Sequence, residues 1–425
     1  MNEHDSEIMA GMLEAIGLRK AEDRSKASIE IINTCSVREN ADKRFFGTLG
    51  QLKHRKISDE NFTVCVCGCM MQQQSVVDSI KKKYPWVDIV IGTHNIEKLP
   101  ELIKKSREDR NSIIDILSDT PHIIEGLPAK RLFRHKALVN IMFGCNNFCS
   151  YCIVPYTRGR EKSRKPENII GEIEKLASDG VKEVMLLGQN VNSYSSPGGT
   201  SFPDLLRMIN EIDGIERIRF MTSHPKDLSD DLISCFRDLD KLCKNIHLPV
   251  QSGSNEILKK MNRKYTREHY IENVQKLREV CPEITISTDI IVGFPGETEE
   301  NFDETLDLVR NVEYDSAFTF LYSPRNGTPA SRMKEQITED IKHARFERLV
   351  EEVNRSSLKK NKLMVGRTER VIADNVSKRD ESMISGRTDG FKLVNFRGDK
   401  DTIGETVEVR ITESNTFSLI GDLIE

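Results

Sequence analysis

The sequence has no long apolar run. None of its 425 residues lies in a stretch that approaches the roughly 18 consecutive apolar residues a membrane helix needs. Repeats and low-complexity tracts are also absent, and the opening residues, MNEHDSE, are acidic where a secretory signal is basic and then apolar. Charge of one sign is not in excess, because 63 Lys and Arg face 67 Asp and Glu. We therefore expect a soluble cytoplasmic protein of roughly two to four domains with no membrane partner.

Cysteine is the residue type whose distribution is uneven. The ten cysteines are residues 35, 65, 67, 69, 145, 149, 152, 235, 243 and 281. The segment CNNFCSYC, from Cys145 to Cys152, holds three thiols within a single short stretch. In a large cytosolic chain, clustered cysteines more often bind metal or carry out redox chemistry than form disulfides. The clustering therefore indicates a metal or redox site.

Hydrophobic periodicity in the first hundred residues predicts a small α/β domain. Helices are predicted at 6–17 and 71–84, and strands at 28–34, 62–67 and 87–92. One face of the first helix would carry Ile8, Met12, Leu13 and Ile16. The alternation predicts a flavodoxin-like domain with a parallel sheet over 1–108. Because such a domain normally opens with a strand, we expect its first strand to be missing before Met1. Polar residues 106–121 predict a linker.

A second alternating series follows the linker. Apolar strands are predicted at 137–143, 182–187, 216–221, 245–250, 284–292 and 316–321, with helical patterns between them. Six such units predict a partial (β/α)6 barrel over 131–358, in which the loops at the carboxyl ends of the strands carry the chemistry. The cysteine segment directly follows the first of these strands. Short strands with turn signals predict a small β-barrel over 361–425.

The spacing Cys-x3-Cys-x2-Cys limits the metals that this segment can bind. A tetrahedral zinc site needs four ligands, and the segment offers three with no fourth Cys or His at close spacing. A 4Fe-4S cluster held at three corners leaves one iron open, and that iron can chelate S-adenosylmethionine. Cys145, Cys149 and Cys152 are therefore our candidate cluster ligands. Buried structural thiols or an adventitious zinc site are the alternative.

The cysteine segment resembles the signature of the radical S-adenosylmethionine superfamily. Longer strings resemble one branch of it, the methylthiotransferases: GCNNFCSYCIVPYTRGRE (144–161), LLGQNVNSY (186–194), RFMTSHPKDLSDDLI (219–233), HLPVQSGSNEILKKMNRKYT (247–266) and DIIVGFPGET (289–298). The tail resembles that family's TRAM module, so the likeness covers essentially the whole chain. It implies an enzyme that adds a 2-methylthio group to N6-isopentenyladenosine at position 37 of tRNA. The implied partners are the tRNA anticodon stem-loop and a reducing electron donor, and we expect a monomer.

The resemblance also implies a second 4Fe-4S cluster, held by three cysteines at strand ends of the N-terminal domain. Two of the three motifs are present: NTCSVREN provides Cys35 and CVCGCMMQ provides Cys69. The third cysteine is expected two positions before Met1. We interpret its absence as a sequence start that was placed at an internal methionine of a longer protein. A truncated chain that cannot hold this cluster normally is the alternative. Cys65 and Cys67 share a strand face with Cys69 and are either substitute ligands or small buried hydrophobes.

Candidate contacts for S-adenosylmethionine lie in the family-like strings. Gly188, at the end of the second barrel strand, would let the backbone approach the methionine amino group, with Gln189 and Asn190 as polar contacts. Gln251 and Asp289 lie near strand ends and would contact the ribose or the bound methionine. Hydrogen bonding within the protein core is the alternative for both of these residues. No catalytic side chain is assigned.

Positive charge is concentrated around the cysteine segment. Between residues 125 and 165, nine Lys or Arg stand against two Glu. Such a cluster would hold RNA phosphates at the mouth of the site, and a solvated surface is the alternative. The tail is slightly acidic, so its RNA-binding role rests on the resemblance alone. Phe391, Phe396 and Arg397 are either stacking groups or, for the phenylalanines, barrel-core residues.

Two other functions fit the sequence. One is a sibling methylthiotransferase that acts on threonylcarbamoyladenosine in tRNA or on a ribosomal protein. The strings around Cys35 and Cys145 favour the isopentenyladenosine branch over this sibling. The other is a non-catalytic iron-sulfur or zinc protein that only binds RNA. Nucleoside analysis of a deletion strain separates the sibling from the isopentenyladenosine branch, and the number of irons bound after anaerobic reconstitution tests the non-catalytic alternative.

Overall fold

The computed structural model describes residues 1–36, 41–120 and 123–424. The chain forms two compact units. The first unit spans Met1–Leu132, Met142–Phe148 and Cys152–Lys162, and the second contains the remainder of the chain. None of the described helices is long and apolar enough to cross a lipid bilayer.

A four-stranded parallel sheet forms the centre of the first unit. Its strands pair in chain order: β1 (Ile29–Thr34), β2 (Thr63–Gly68), β3 (Ile89–Ile91) and β4 (Ile113–Asp115). The helices of this unit are α1 (Asn2–Ala15), α2 (Ala41–Ser58), α3 (Gln74–Lys83) and α4 (Leu99–Asp109). Parallel neighbours need a crossover, and the helices between the strands provide it. The prediction of a parallel α/β domain is confirmed.

Alternate residues of β2 enter two separate cores. Val64 and Val66 pack with the apolar faces of α2 and α3. Cys65 and Cys67 point to the opposite face and pack with α1 and α4. Both thiols are fully buried, and burial raises the pKa of each. The structure therefore favours small buried hydrophobes over substitute metal ligands for this pair.

Two predictions for the first unit are wrong in detail. Because α1 ends at Ala15, Ile16 lies beyond the helix and is 53% exposed instead of joining Ile8, Met12 and Leu13 at the core. The range 106–121, predicted as a linker, contains the end of α4 and all of β4, which pairs with β3. An edge strand of three residues is too short to show the alternation from which strands are inferred.

Short elements flank the cysteine segment. They follow β5 (Lys136–Asn140), the first barrel strand, and are β6 (Met142–Phe143), α5 (Val154–Thr157) and β7 (Lys162–Ser163). β6 and β7 pair with each other. The helix α5 has Pro155 in its first turn, where the missing N–H group is not needed. The three cysteines therefore lie in the loop between β6 and α5.

The second unit contains the six predicted β/α repeats. After β5 its strands are β8 (Glu183–Leu187), β9 (Arg217–Phe220), β10 (Asn245–His247), β11 (Thr285–Val292) and β12 (Ser316–Leu321). They pair in parallel in two sheets, ordered β5-β8-β9 and β10-β11-β12. The helices are α6 (Pro166–Ser178), α7 (Phe202–Asn210), α8 (Asp230–Asp238), α9 (Asn255–Lys260), α10 (Arg267–Val280), α11 (Glu299–Val312) and α12 (Glu339–Lys362). The partial barrel is confirmed.

The tail forms a closed barrel of five strands, as predicted. In barrel order they are β13 (Thr368–Val376), β14 (Met383–Thr388), β15 (Leu393–Arg397), β17 (Leu419–Leu423) and β16 (Thr406–Ser414). Phe396 is fully buried in the core of this barrel, so it is not available to stack on a base. Phe391 packs under the guanidinium groups of Arg219 and Arg387, while Arg397 is exposed.

Two buried arginines of β9 attach the small barrel to the β/α repeats within the second unit. Arg217 donates to the backbone carbonyls of Arg370 and Arg387 at 2.7 and 2.9 Å. Arg219 donates to the carbonyls of Thr388 and Asp389 at 2.7 and 2.9 Å. The Arg219 Nε atom also lies 3.0 Å from Glu183 Oε2. Each guanidinium thus donates hydrogen bonds to backbone carbonyls that the packing of the small barrel on the β/α repeats removes from water.

We expect Arg219→Met to destabilise the second unit strongly. The change leaves the buried Glu183 carboxylate without its closest partner, and breaking a buried pair costs about 3–5 kcal/mol. Arg207→Met is the control, because this arginine lies on the exposed face of α7 and its ion pair with Asp231 is worth about 0–1 kcal/mol. Urea unfolding and limited proteolysis check the result. Equal urea midpoints for the two variants would contradict the structural role of Arg219.

Candidate metal and cofactor sites

Cys35 and Cys69 lie side by side at the carboxyl edge of the first unit's sheet. The last paired residues of β1 and β2 are Thr34 and Gly68, and the two cysteines immediately follow them. Burial raises the pKa of the Cys69 thiol, and the nearby Arg158 guanidinium opposes this rise. Residues 37–40 of the NTCSVREN string lie outside the described residues.

Gly68 permits the close approach of the two strands at this point. Its φ is 97°, in the left-handed region, and a Cβ atom here would overlap the backbone carbonyl oxygen of Thr34. Any other residue would therefore push β1 away from β2 just before the cysteines. In the Gly-Cys pair of CVCGCMMQ, the close packing of the two strands therefore requires the glycine, and the cysteine is the candidate ligand.

A buried arginine contacts Cys69. Arg158 follows α5, and its Nε atom lies 3.1 Å from Cys69 Sγ. Its Nη2 atom lies 2.6 Å from Asp5 Oδ2 in α1, and all three side chains are buried. Burial opposes the charge of Arg158, but the Asp5 carboxylate and the hydrogen bonds to Asp5 and Cys69 raise the pKa of the guanidinium. The group stays charged beside the sulfur.

The cysteine segment itself is fixed at its ends by backbone contacts. Gly144 has a φ of 72°, and a Cβ atom there would overlap the carbonyl oxygen of Arg160. The adjacent Cys145 amide donates to the Gly159 carbonyl at 3.1 Å. Cys145 and Cys152 belong to the first unit and are half-buried, whereas Cys149 belongs to the second unit and is buried.

In the second unit, Cys149 has an arginine partner of its own. Arg263 Nη1 lies 3.4 Å from Cys149 Sγ, its Nη2 donates to the Pro249 carbonyl at 2.9 Å, and its Nε lies 2.9 Å from the Tyr265 hydroxyl. That hydroxyl donates to the Val250 carbonyl at 2.7 Å. Arg263 therefore ties the central cysteine of the segment to the loop that follows β10.

The candidate cofactor residues fall into two groups in the second unit. Gln251 and Asp289 are together, because the Gln251 amide donates to the Asp289 carbonyl at 2.8 Å. His247 Nε2 lies 3.4 Å from Asp289 Oδ1 in the same group. Gln251 has a φ of 70°, a backbone conformation that residues other than glycine rarely adopt. Backbone strain of this kind is concentrated at functional sites, so it supports a functional role for the loop after β10.

The other group follows β8. Gly188 accepts a hydrogen bond from Thr222 Oγ1 at 2.7 Å, and Asn190 Nδ2 donates to Asp227 Oδ2 at 2.7 Å. Asn190 is buried, and its Oδ1 has no hydrogen-bond partner among the described residues. Gln189 is half-buried beside it. An unpaired buried acceptor is costly, so Asn190 is prepared to accept from a donor such as an ammonium group.

The basic residues around the cysteine segment are largely paired with acids. Ion pairs join Lys130 to Glu14, Lys136 to Asp374, Arg158 to Asp5, Lys162 to Asp119 and Arg164 to Glu172. Glu14, Asp374 and Asp5 are distant in sequence from the basic run, whereas Asp119 and Glu172 lie just outside its two ends. A count over residues 125–165 therefore overstates the positive charge that the folded chain presents.

Three family models match this chain. The Radical SAM superfamily model matches residues 139–309, a TRAM domain model matches 362–424, and the uncharacterized protein family UPF0004 matches 1–92. A tRNA-2-methylthio-N(6)-dimethylallyladenosine synthase of Clostridium tetani (strain Massachusetts / E88) is 56% identical, covering 99% of this chain and 94% of its own. A protein of the same name from Clostridium botulinum (strain Alaska E43 / Type E3) is 53% identical, covering 100% and 94%. The chain belongs to the tRNA-2-methylthio-N(6)-dimethylallyladenosine synthase family.

The fold of this chain resembles that of a solved enzyme structure. A radical S-adenosylmethionine methyltransferase, TsrM, from Kitasatospora setae, solved with cobalamin and a [4Fe-4S] cluster bound, has a TM-score of 0.56. The match covers 77% of this chain and 73% of that one at 15% identity. At this identity the likeness concerns the fold alone.

Radical S-adenosylmethionine synthases of this kind carry a 4Fe-4S cluster and S-adenosylmethionine, and the donor chemistry here fits both. Among the described residues, no three His, Cys, Asp or Glu side chains, those of Cys145, Cys149 and Cys152 included, lie close enough together to hold a metal ion. All ten cysteines are free thiols, however, and thiolates are the usual ligands of iron-sulfur clusters. Two of them, Cys69 and Cys149, already contact a buried guanidinium, which matches a thiolate better than a neutral thiol.

Sequence reasoning missed the two arginines that contact the candidate ligands. Arg158 and Arg263 both lie inside strings that resemble the synthase family, YTRGRE and MNRKYT. Nothing in their local spacing distinguishes them from exposed basic residues, because each meets its cysteine through tertiary contacts. Arg158 was counted as part of a basic surface, and the structure corrects this to a buried ion pair. His224 in the family-like string RFMTSHPKDLSDDLI is buried, and burial lowers its pKa to about 2.

Proposed function

We propose that this chain transfers a methylthio group to C2 of N6-isopentenyladenosine at position 37 of tRNA. The observation that carries the proposal is the 56% identity to a named synthase over 99% of the chain. The Cys-x3-Cys-x2-Cys segment at the end of the first barrel strand supports it. When bound, a 4Fe-4S cluster and S-adenosylmethionine supply the radical chemistry that removes a hydrogen from an unactivated carbon.

We assign the residues of this chain as follows. Cys145, Cys149 and Cys152 hold the radical cluster, and their close spacing leaves one iron free for the cofactor. The buried acceptor of Asn190 and the backbone at Gly188 receive the methionine amino group, with Gln189 beside them. Gln251 and Asp289, hydrogen-bonded to each other through their backbones, hold the ribose or the methionine end. These contacts orient the cofactor rather than take part in proton transfer.

A second cluster occupies the carboxyl edge of the first unit's sheet in this proposal. Cys35 and Cys69 are two of its ligands, which is supported by their adjacent positions after β1 and β2. Its function is to hold the sulfur that becomes the methylthio group. The domains are 1–108 for this site, 131–358 for the radical barrel and 361–425 for the TRAM barrel.

The substrate in this proposal is the tRNA anticodon stem-loop. The TRAM barrel supports an RNA partner, and exposed Arg397 is the stacking or phosphate-binding candidate that remains after Phe396 is assigned to the core. The enzyme works as a cytoplasmic monomer with a reducing electron donor. We expect tRNA binding to weaken as salt concentration rises, because phosphate contacts release counterions.

Nucleoside analysis of tRNA from a strain that lacks the gene tests the proposal. We expect 2-methylthio-N6-isopentenyladenosine to disappear, N6-isopentenyladenosine to accumulate, and the gene in trans to restore the product. Loss of a methylthio group from threonylcarbamoyladenosine, or from a ribosomal protein, would instead assign the chain to the sibling function. Unchanged nucleosides and proteins would assign it a non-catalytic role.

A further inference from the structure

We infer that Arg158 is a positioning residue for the second cluster: it orients the Cys69 sulfur and raises the reduction potential of the cluster bound there. The inference rests on the proposed function, because it takes Cys69 to be a cluster ligand. Arg158 itself touches neither substrate nor cofactor. It acts through the sulfur of Cys69, 3.1 Å from its Nε atom.

The geometry around Arg158 is that of a fixed donor. Its two ends are held by different elements, since Nη2 contacts Asp5 on α1 while Nε faces Cys69 beyond β2. Arg158 is 7% exposed, and Asp5 and Cys69 are similarly buried, so the interaction is little screened by water. A guanidinium cannot rotate away from the sulfur without breaking a buried ion pair.

A charged donor on a ligating sulfur changes the cluster in a predictable direction. Reduction adds one negative charge to the cluster, and a nearby cation stabilises that charge, so the potential rises. Hydrogen bonds to sulfur and burial are among the factors that set iron-sulfur potentials. Outer-shell partners of ligands typically change metal affinity or activity 10–100-fold.

The position of Arg158 in the sequence adds a further consequence. It lies six residues after Cys152, at the C-terminal end of α5. One short piece of chain therefore carries both a candidate radical-cluster ligand and the donor to Cys69.

The test uses the full chain with Cys145→Ala, Cys149→Ala and Cys152→Ala, so that only the second cluster can be reconstituted. We expect this background to bind iron and to give a reversible potential in an EPR-monitored titration. Adding Arg158→Gln should lower the ratio of reduced to oxidised cluster at a fixed potential by at least about tenfold, which is about 59 mV for a one-electron couple. Arg160→Gln is the matched control, because Arg160 is exposed on the same segment and packs over Phe148.

Two further variants separate this role from simple loss of folding. Asp5→Asn combined with Arg158→Gln removes both charges and so leaves no buried unpaired carboxylate. Arg158→Lys keeps the positive charge but loses the planar guanidinium that reaches both partners. Circular dichroism verifies that each variant is folded. We expect the potential to fall as far in the double variant as in Arg158→Gln and less far in Arg158→Lys.

The failures of the two proposals are distinguishable. If the triple-cysteine background takes up no iron, the second cluster and the role of Arg158 are both wrong. If it takes up iron and the folded Arg158→Gln variant keeps the same potential and EPR signal as Arg160→Gln, the role of Arg158 alone is wrong. Loss of iron from folded Arg158→Gln, but not from Arg160→Gln, supports the positioning role.

Discussion

Cys149→Ala is expected to abolish methylthiolation and to remove one cluster, lowering the iron content of the anaerobically reconstituted chain from about eight to about four. Cys149 is the central ligand of a three-thiol set, and its loss leaves the radical cluster with two of its three protein ligands. The substitution also leaves the buried Arg263 guanidinium facing a methyl group instead of a sulfur. Iron analysis and S-adenosylmethionine cleavage under reducing conditions measure both effects.

The control for Cys149→Ala is Cys281→Ala. Cys281 is also buried and lies in the second unit, but it ends α10 and is outside the cysteine segment. We expect this variant to keep its iron and its activity. A Cys149→Ala protein with the full iron content and unchanged cofactor cleavage would remove Cys149 from the ligand set and leave a structural thiol.

Arg263→Gln is expected to lower activity roughly 10–100-fold, because partners that orient a metal ligand have effects of this size. Glutamine is shorter and uncharged, so it cannot reach Cys149 Sγ, the Pro249 carbonyl and the Tyr265 hydroxyl together. The Pro249 carbonyl keeps only its 3.3 Å contact with the Tyr265 hydroxyl, and the lost hydrogen bond costs about 0.5–1.5 kcal/mol. The loop that leads to Gln251 should also become less ordered.

Lys264→Gln is the matched control for Arg263→Gln, because Lys264 is the next residue and is exposed. The readout that separates positioning from folding is the reduction potential of the radical cluster, measured in protein that carries Cys35→Ala and Cys69→Ala. We expect Arg263→Gln to shift this potential downward and Lys264→Gln to leave it unchanged. Equal potentials in the two variants would mean that Arg263 supports only the fold.

The fold was largely predictable because its signals are local. The strand at 62–67 is a nearly continuous apolar run, the strand at 284–292 alternates buried and partly buried residues, and the intervening helices have a clear apolar face. β4 was missed because three residues are too few to show a strand pattern, and they form a strand only by pairing with the edge of β3. Ile16 was misplaced because it is the C-cap of α1, and Gly17, with a φ of 87°, ends the helix directly after it.

The candidate ligands were predictable, while their surroundings were not. Three cysteines in one loop form a pattern that a sequence shows directly, and Cys35 and Cys69 follow from strand ends. Arg158 and Arg263 reach their cysteines across 89 and 114 residues of chain, so no window of sequence contains both partners. The same reason explains the basic run, most of whose acid partners lie far from it in the sequence.

The most direct test of the account is a single-turnover reaction with purified components. The full chain is reconstituted with iron and sulfide without oxygen, reduced, and mixed with S-adenosylmethionine and tRNA that carries N6-isopentenyladenosine at position 37. We predict cleavage of the cofactor and formation of the 2-methylthio nucleoside, both lost in Cys149→Ala. Protein that binds iron in full yet neither cleaves the cofactor nor modifies this tRNA would contradict the account.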